Sequence, residues 1–333
     1  MKKTTLIIAT LLILSGGMLF LSSCRKDLLK QDPTTEMLGA EFWQTDGDAM
    51  TALMGAYAAT RPCFDRDYYF DGQGDYVRAR GTSTISGNLR LGDAYNGGNY
   101  GPTGYAGAFD KMYRYLYGAV NRANYVIDNV NTMIASKIGN RETLDLIIAE
   151  ARVLRGLAYF KLMSMWGDVP YFTKTVSTVA TEANAEMLRM TRLPIGQVKD
   201  SILNDLNLAI DKLPAKAAAL GRITKPATVA LRGKVQLYWG SWKKNGWPEL
   251  EGFTQDLAAA TAAFTAAALD FKSVINDYGL SLYLSGDPGI ISGLGRADSL
   301  PNYYHLFTPK ANGNSEMLLV FTHGGNSTNQ GKN

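Results

Sequence analysis

The chain has 333 residues and a formal charge of +4, from 34 basic and 30 acidic residues. That balance, with no blocks of like charge, excludes the electrostatic footprint of a nucleic-acid-binding protein. Hydrophobic residues make up 46% of the chain, enough for a substantial core, and two cysteines exclude a disulfide framework.

Met1-Lys2-Lys3 precedes an apolar run from Leu6 to Leu21, interrupted at Ser15-Gly16-Gly17. The run is too short and too broken for a membrane span. A charged start, an apolar middle and small residues before a cut mark a secretory signal. In "LSSC" the small residues end at Cys24, so residues 1–23 resemble a bacterial lipoprotein signal. That resemblance implies an acylated Cys24 as the first mature residue, with residues 24–36, polar and containing Pro33, as a tether. Cys63 then has no intrachain partner and reads as a small buried hydrophobe.

The spacing of Phe42, Ala49, Leu53, Ala56 and Tyr57 predicts a helix over 41–59. No helical period survives over 61–106, which holds nine glycines between Gly72 and Gly104. The same stretch carries Tyr68, Tyr69, Tyr76, Tyr95, Tyr100 and Tyr105. Disordered segments are poor in aromatics, so an ordered, elaborated loop is expected. Next, Met112, Leu116, Val120, Ala123, Ile127 and Val130 predict one helix, and Leu144, Ile147, Ala151, Leu154, Ala158 and Leu162 another. The second ends at "WGDVP", where glycine stops a helix and proline prevents its restart. Further helices are expected over 195–213, closed by Pro214, and over 224–238, opened by Thr224 with Pro226 in its first turn. A last one, over 255–276, has Leu257, Ala260, Phe264, Ala268, Phe271 and Ile275 as its apolar face. Residues 151–156 and 228–233 align loosely, each with Leu-Arg-Gly inside a helix. Mid-helix glycine costs about 1 kcal/mol against alanine, so its recurrence suggests close helix–helix approach in a repeat.

Chemistry-bearing motifs are few. His305 and His323 are the two histidines, and no CxxC, HExxH, P-loop or Gly-x-Ser-x-Gly pattern occurs. Asp65, Asp67, Asp71 and Asp75 cluster in the aromatic loop. Three roles are open to them: turn capping, calcium ligation, or a glycosidase acid and nucleophile with Asp71 or Asp75 in that part. Aromatic residues concentrate in 68–105, 242–253 and 283–307. Flat rings stack on sugars while Asp, Asn and Arg bond hydroxyls, and Asp75, Tyr76, Arg78, Tyr95, Asn96 and Tyr100 have that composition. Neither a metal nor a cofactor is expected.

Six stretches in order carry a family resemblance: "EFWQTDGDAMTALMGAY", "YRYLYGAVNRANYVIDNV", "AEARVLRGLAYFKLMSMWGDVPYF", "VKDSILNDLNLAIDKLP", "GRITKPATVALRGKVQLYW" and, late, "GNSEMLLVFTH". Together with Cys24 and the downstream "LLKQDPTTE", the series resembles the SusD/RagB lipoproteins of Bacteroidetes-type outer membranes. The resemblance implies a mainly all-α fold of tetratricopeptide-like helix pairs with long irregular loops, formed by residues 37–333. It implies a non-enzymatic, surface-exposed outer-membrane lipoprotein that binds glycan oligomers and caps a TonB-dependent, SusC-like transporter. It points to the loop after the first helix, with Asp75 at a position often acidic there and Tyr76 beside it. Some family members bind peptides or other nutrients, so a helical-repeat protein that takes peptide or protein is the alternative. Family members are usually longer, and a C-terminal portion of the usual fold is expected to be missing.

Overall fold

The computed structural model describes residues 42–64, 99–100, 105–106, 108–176, 189–247, 253–283, 306 and 313–321. The chain divides into two units, Met1–Trp43 and Gln44–Asn333. In the first, the described Phe42 and Trp43 rings meet edge to face at 5.2 Å. The second is mainly helical, with α1 (Asp46–Thr60), α2 (Ala108–Ala135), α3 (Arg141–Trp166), α4 (Ile195–Ile210), α5 (Lys225–Asn245) and α6 (Leu257–Asp277). A small antiparallel pair, β1 (Asn99–Tyr100) and β2 (Tyr105–Ala106), precedes α2, with Tyr100 opposite Tyr105.

The helix boundaries follow local chemistry. α1 begins at Asp46 rather than at 41, because Thr45 is extended and forms a capping box with Asp48. Asn140 caps α3 by accepting from the Thr143 amide. The same helix stops at Gly167, whose φ of +68° suits a residue without Cβ. Thr224 and Pro226 open α5 as expected. That helix runs past the expected end at 238 to Asn245, carrying Trp239 and Trp242 in its last turns, and stops where Gly246 takes φ +70°.

Each helix packs on the next, α2 on α3, α3 on α4, α4 on α5 and α5 on α6, while α1 lies on α2 and α3. The predicted apolar stripes of α1 to α3 form the core: Leu53, Leu116, Val120, Ile147, Leu154 and Leu162 are fully buried. On α6 the buried face is Ala260, Ala263, Ala267, Asp270 and Val274. The predicted face was therefore rotated, since Leu257 and Ile275 are exposed. Phe264 and Phe271 of the predicted face do pack on α5, their rings against Gly240 and Gly233.

Arg155 of α3 joins three helices. Its side chain is 5% exposed. Nε and Nη2 donate to the two oxygens of Asp205 on α4, each at 2.7 Å. Nη1 donates to Asn124 Oδ1 of α2 at 2.7 Å and to the Thr173 carbonyl at 3.4 Å. The chain then repeats the unit. Arg232 of α5 grips Asp270 of α6 through Nε at 2.9 Å and Nη2 at 2.6 Å, and reaches back through Nη1 to Asn207 of α4 at 2.8 Å. The glycine after each arginine meets the residue after each aspartate. A Cβ on Gly156 would sit 3.3 Å from Leu206, and one on Gly233 would sit 2.8 Å from Phe271. Thus α2–α3–α4 and α4–α5–α6 are two copies of one three-helix unit that share α4, and the loose match of 151–156 with 228–233 is a structural repeat.

A second buried carboxylate fastens α1. Glu150 of α3 accepts from Arg222 and from the Tyr57 hydroxyl, and that hydroxyl accepts from the Ile223 amide at 2.8 Å. Burial, reinforced by the Glu150 charge, pushes the Tyr57 phenol well above its ordinary range, so it stays a donor. Cys63 is buried, its Sγ 3.9 Å from the Ala59 carbonyl, the small hydrophobe expected.

Removing one partner of a buried ion pair strands the other charge. Arg155→Ala is expected to cost about 3–5 kcal/mol in denaturant unfolding. Arg232→Ala is expected to cost less, because that guanidinium is 30% exposed. The glycines give an opposed pair. Gly118→Ala meets open space on an exposed helix face and is expected to stabilise by about 0.5–1 kcal/mol. Gly233→Ala forces Phe271 aside and is expected to destabilise by about 1–3 kcal/mol. Equal effects would contradict the close α5–α6 approach.

Candidate functional site

Asp75, Tyr76, Arg78, Tyr95 and Asn96 lie outside the described residues, as do Cys24, the tether, and the loop carboxylates Asp65, Asp67 and Asp71. Tyr100 is described as backbone in β1. The structure does describe the helix ends from which that loop departs and to which it returns. α1 finishes beside the end of α3, where Lys161 Nζ donates to the Cys63 carbonyl at 2.9 Å and lies 4.4 Å over the Phe64 ring. α2 begins at the same place, since Tyr113 meets Trp166 of α3 with ring centroids 5.2 Å apart. The start of α4 joins them because Asp168 Oδ1 accepts from the Ile195 amide at 2.7 Å, capping a helix whose own N-cap is Pro194. The end of α5 is held there by the Tyr238 hydroxyl, which donates to the Ser164 carbonyl at 3.3 Å. One end of the stack therefore collects both attachments of residues 65–107.

Aromatic side chains concentrate at that end. Tyr113 and Tyr117 lie 4.8 Å apart, Tyr117 stacks on Phe172 at 5.7 Å, and Tyr159 meets Tyr171 at 4.3 Å. A second group joins α5 to α6, with Trp242 stacked on Trp247 at 4.7 Å and Trp239 edge-on to Phe253 at 5.6 Å. Lys199 and Lys243 lie over Trp239 at 4.9 and 5.2 Å. Gly167 admits Trp247, which would stand 3.0 Å from a Cβ there. Trp242, Trp247 and Phe253 thus form a packed junction, with Trp242 inside α5.

A polar stripe on α2 holds the segment after "WGDVP". Tyr117, Asn121, Asn124 and Asp128 follow one another at three- and four-residue steps and so share a face. The Tyr117 hydroxyl donates to the Pro170 carbonyl at 2.7 Å. Asn121 accepts from the Val176 amide at 2.8 Å and donates to its carbonyl at 3.0 Å. Asn124 donates to the carbonyls of Phe172 and Lys174, and Asp128 accepts from the Thr175 amide at 2.8 Å. Tyr159 completes the set, its hydroxyl bonding both the amide and the carbonyl of Phe172 at 2.9 Å. Sequence reasoning missed this stripe, having taken α2 only for its apolar face. The signal was present as polar residues at helical spacing, each one step on from a residue of the apolar stripe.

The segment so held walls a polar cleft of about 530 Å³ between α2 and α4. Arg152 and Asp205 lie on its floor, and Asn131, Ser201, Asn204 and Tyr171 line its sides. Burial pushes the Tyr171 phenol up to about 12, so it presents a neutral hydroxyl. Among the described residues no three His, Cys, Asp or Glu side chains converge as a metal site. The chemistry on offer is hydrogen bonding to a polar ligand. Each helix-to-segment bond is expected to protect its amide. Asp128→Ala should speed hydrogen exchange at Thr175 about tenfold and Asn121→Ala should do so at Val176, with the core amide of Leu154 unchanged.

A SusD-like family model, described as starch-binding and associating with the outer membrane, matches residues 73–237. A SusD-like protein of Bacteroides ovatus is 28% identical over 329 residues, covering 96% of this chain and 50% of that protein. The crystal structure of a SusD homolog from Bacteroides thetaiotaomicron superposes with a TM-score of 0.54 at 21% identity, covering 74% of this chain and 44% of the other. NanU of B. fragilis superposes with a TM-score of 0.59 at 18% identity, covering 88% and 51%. The chain spans about half the length of the curated relatives it matches. Both solved structures share its mainly helical fold, and the family model and the curated relatives agree on what the chain is similar to: SusD-like proteins, over the ordered helices and the repeated clamp.

Proposed function

We propose that this chain is a non-enzymatic outer-membrane lipoprotein that binds glycan oligomers and passes them to a TonB-dependent, SusC-like transporter. The observation that carries the reading is the family match over 73–237, described as starch-binding and associating with the outer membrane. That match takes in Asp75, Tyr76, Arg78, Tyr95, Asn96 and Tyr100. The gathering of both loop attachments at one end of a rigid stack supports it. Binding residues on loops need a fixed base, and the clamped helices supply one. In this reading residues 1–23 are the signal, Cys24 is the lipid anchor and residues 24–36 are the tether. Multiple acyl chains on Cys24 hold a protein at a membrane stably, where a single chain holds it marginally.

The test is calorimetry or an affinity gel on the full chain with neutral oligosaccharides and peptides. The expected result is glycan binding, weakened about tenfold by Tyr76→Ala and by Tyr95→Ala through loss of ring stacking. Binding of peptides without glycans would overturn the ligand class. Unchanged glycan affinity in both variants would overturn the loop site. Cys24→Ala is expected to abolish lipid labelling in cells, and retained labelling would refute the anchor.

A further inference from the structure

The charged side chains lining the cleft balance in number, Arg152, Arg155 and Lys174 against Asp128, Asp200 and Asp205, but the positive ones outnumber the negative on the floor. Lys174 lies 3.1 Å from Asp128, which also accepts from Thr175, and Lys199 pairs with Asp200. On the floor, both oxygens of Asp205 are taken by Arg155 at 2.7 Å. Arg152 reaches the same carboxylate through one Nη alone, at 3.5 Å, and its side chain is 24% exposed. One aspartate thus serves two guanidiniums, and the floor carries an excess positive charge facing the cleft. A guanidinium with free N–H groups accepts a carboxylate in a two-pronged geometry. Asn131 and Asn204 are exposed on the opposite walls, and Ser201, whose hydroxyl donates to the Gln197 carbonyl at 2.9 Å, lines the cleft as an acceptor. Their amides and hydroxyl suit the hydroxyls that flank a carboxylate on a sugar ring.

We propose that this cleft is a subsite for the carboxylate of an acidic sugar residue, a uronate within an oligomer, with Arg152 as its anion-binding group. The inference rests on the glycan-binding reading and adds a charge class to it. The subsite lies on the helix stack, formed by α2, α3, α4 and the segment after α3.

The experiment compares trigalacturonate with its fully methyl-esterified, neutral form by calorimetry on the full chain. The acid is expected to bind at least about tenfold more tightly at low salt, with the preference shrinking as salt screens the charge. Arg152→Gln is expected to erase the preference and leave the ester's affinity unchanged. Arg152→Lys keeps the charge without the fork and is expected to retain part of it. Asn204→Asp places a negative charge on the exposed wall and is expected to weaken the acid alone, giving a second readout should Arg152→Gln fail to fold. Equal binding of acid and ester, or a preference that survives Arg152→Gln, would overturn the subsite and leave the glycan reading standing. Failure of every oligosaccharide, neutral or acidic, would overturn both. Selective binding of a peptide through its free C-terminal carboxylate, lost in Arg152→Gln, would overturn the sugar assignment.

Discussion

The Arg155 guanidinium, held by both oxygens of Asp205 and by Asn124, is the interaction on which the rest of the structure depends. A charge buried this deeply is costly unless every donor finds an acceptor. Here Nε and Nη2 face one carboxylate, and Nη1 faces an amide oxygen and a backbone carbonyl. The demand is directional, so it fixes the rotation and register of α2, α3 and α4 together. Apolar side chains such as Leu154 and Leu206 supply the larger burial, but their contacts tolerate sliding that a forked ion pair does not. The same unit recurs at Arg232 and Asp270, with Gly156 and Gly233 letting the next helix close on the arginine-bearing one.

The clamp also shapes what faces solvent. Arg155 bonds the Thr173 carbonyl, and Asn124 bonds those of Phe172 and Lys174, so the segment after α3 is locked to the α2 face by the residues that lock the helices. That segment forms one wall of the polar cleft. At the loop end, Asp168 replaces the missing cap of α4, and Lys161 ties the end of α1 to α3. The attachments of residues 65–107 are therefore set by side-chain bonds across the stack, which gives the intervening residues a fixed base.

Much of the helical skeleton was legible in the sequence because its signals are local. Thr224 with Pro226, the Gly167 stop and the stripes from Leu116 to Val130 and from Leu144 to Leu162 each lie within a few residues of what they determine. What escaped was non-local. Nothing near Arg155 announces Asp205, fifty residues on, and the Arg-Gly repeat reads as a faint match until both aspartates are seen in place. The face of α6 was misread because Leu257 and Ile275 weigh more in an apolar pattern than the alanines that make the close contact. The α2 stripe was hidden by the stronger apolar stripe on the same helix. Of the candidate binding residues, all but the Tyr100 backbone lie outside the described residues, and the sequence offered their ring and amide chemistry without a geometry.

The most direct test of this account is a double-mutant cycle on Arg155 and Asp205, using Arg155→Ala, Asp205→Ala and the pair in equilibrium unfolding. If the forked pair sets the stack, each single variant leaves a buried charge stranded and the double variant relieves it. The double should then be about as stable as the singles, giving a coupling energy about equal to one single loss, about 3–5 kcal/mol. Additive losses, with a coupling near zero, would show that the two residues act independently and would contradict the central role given to the clamp.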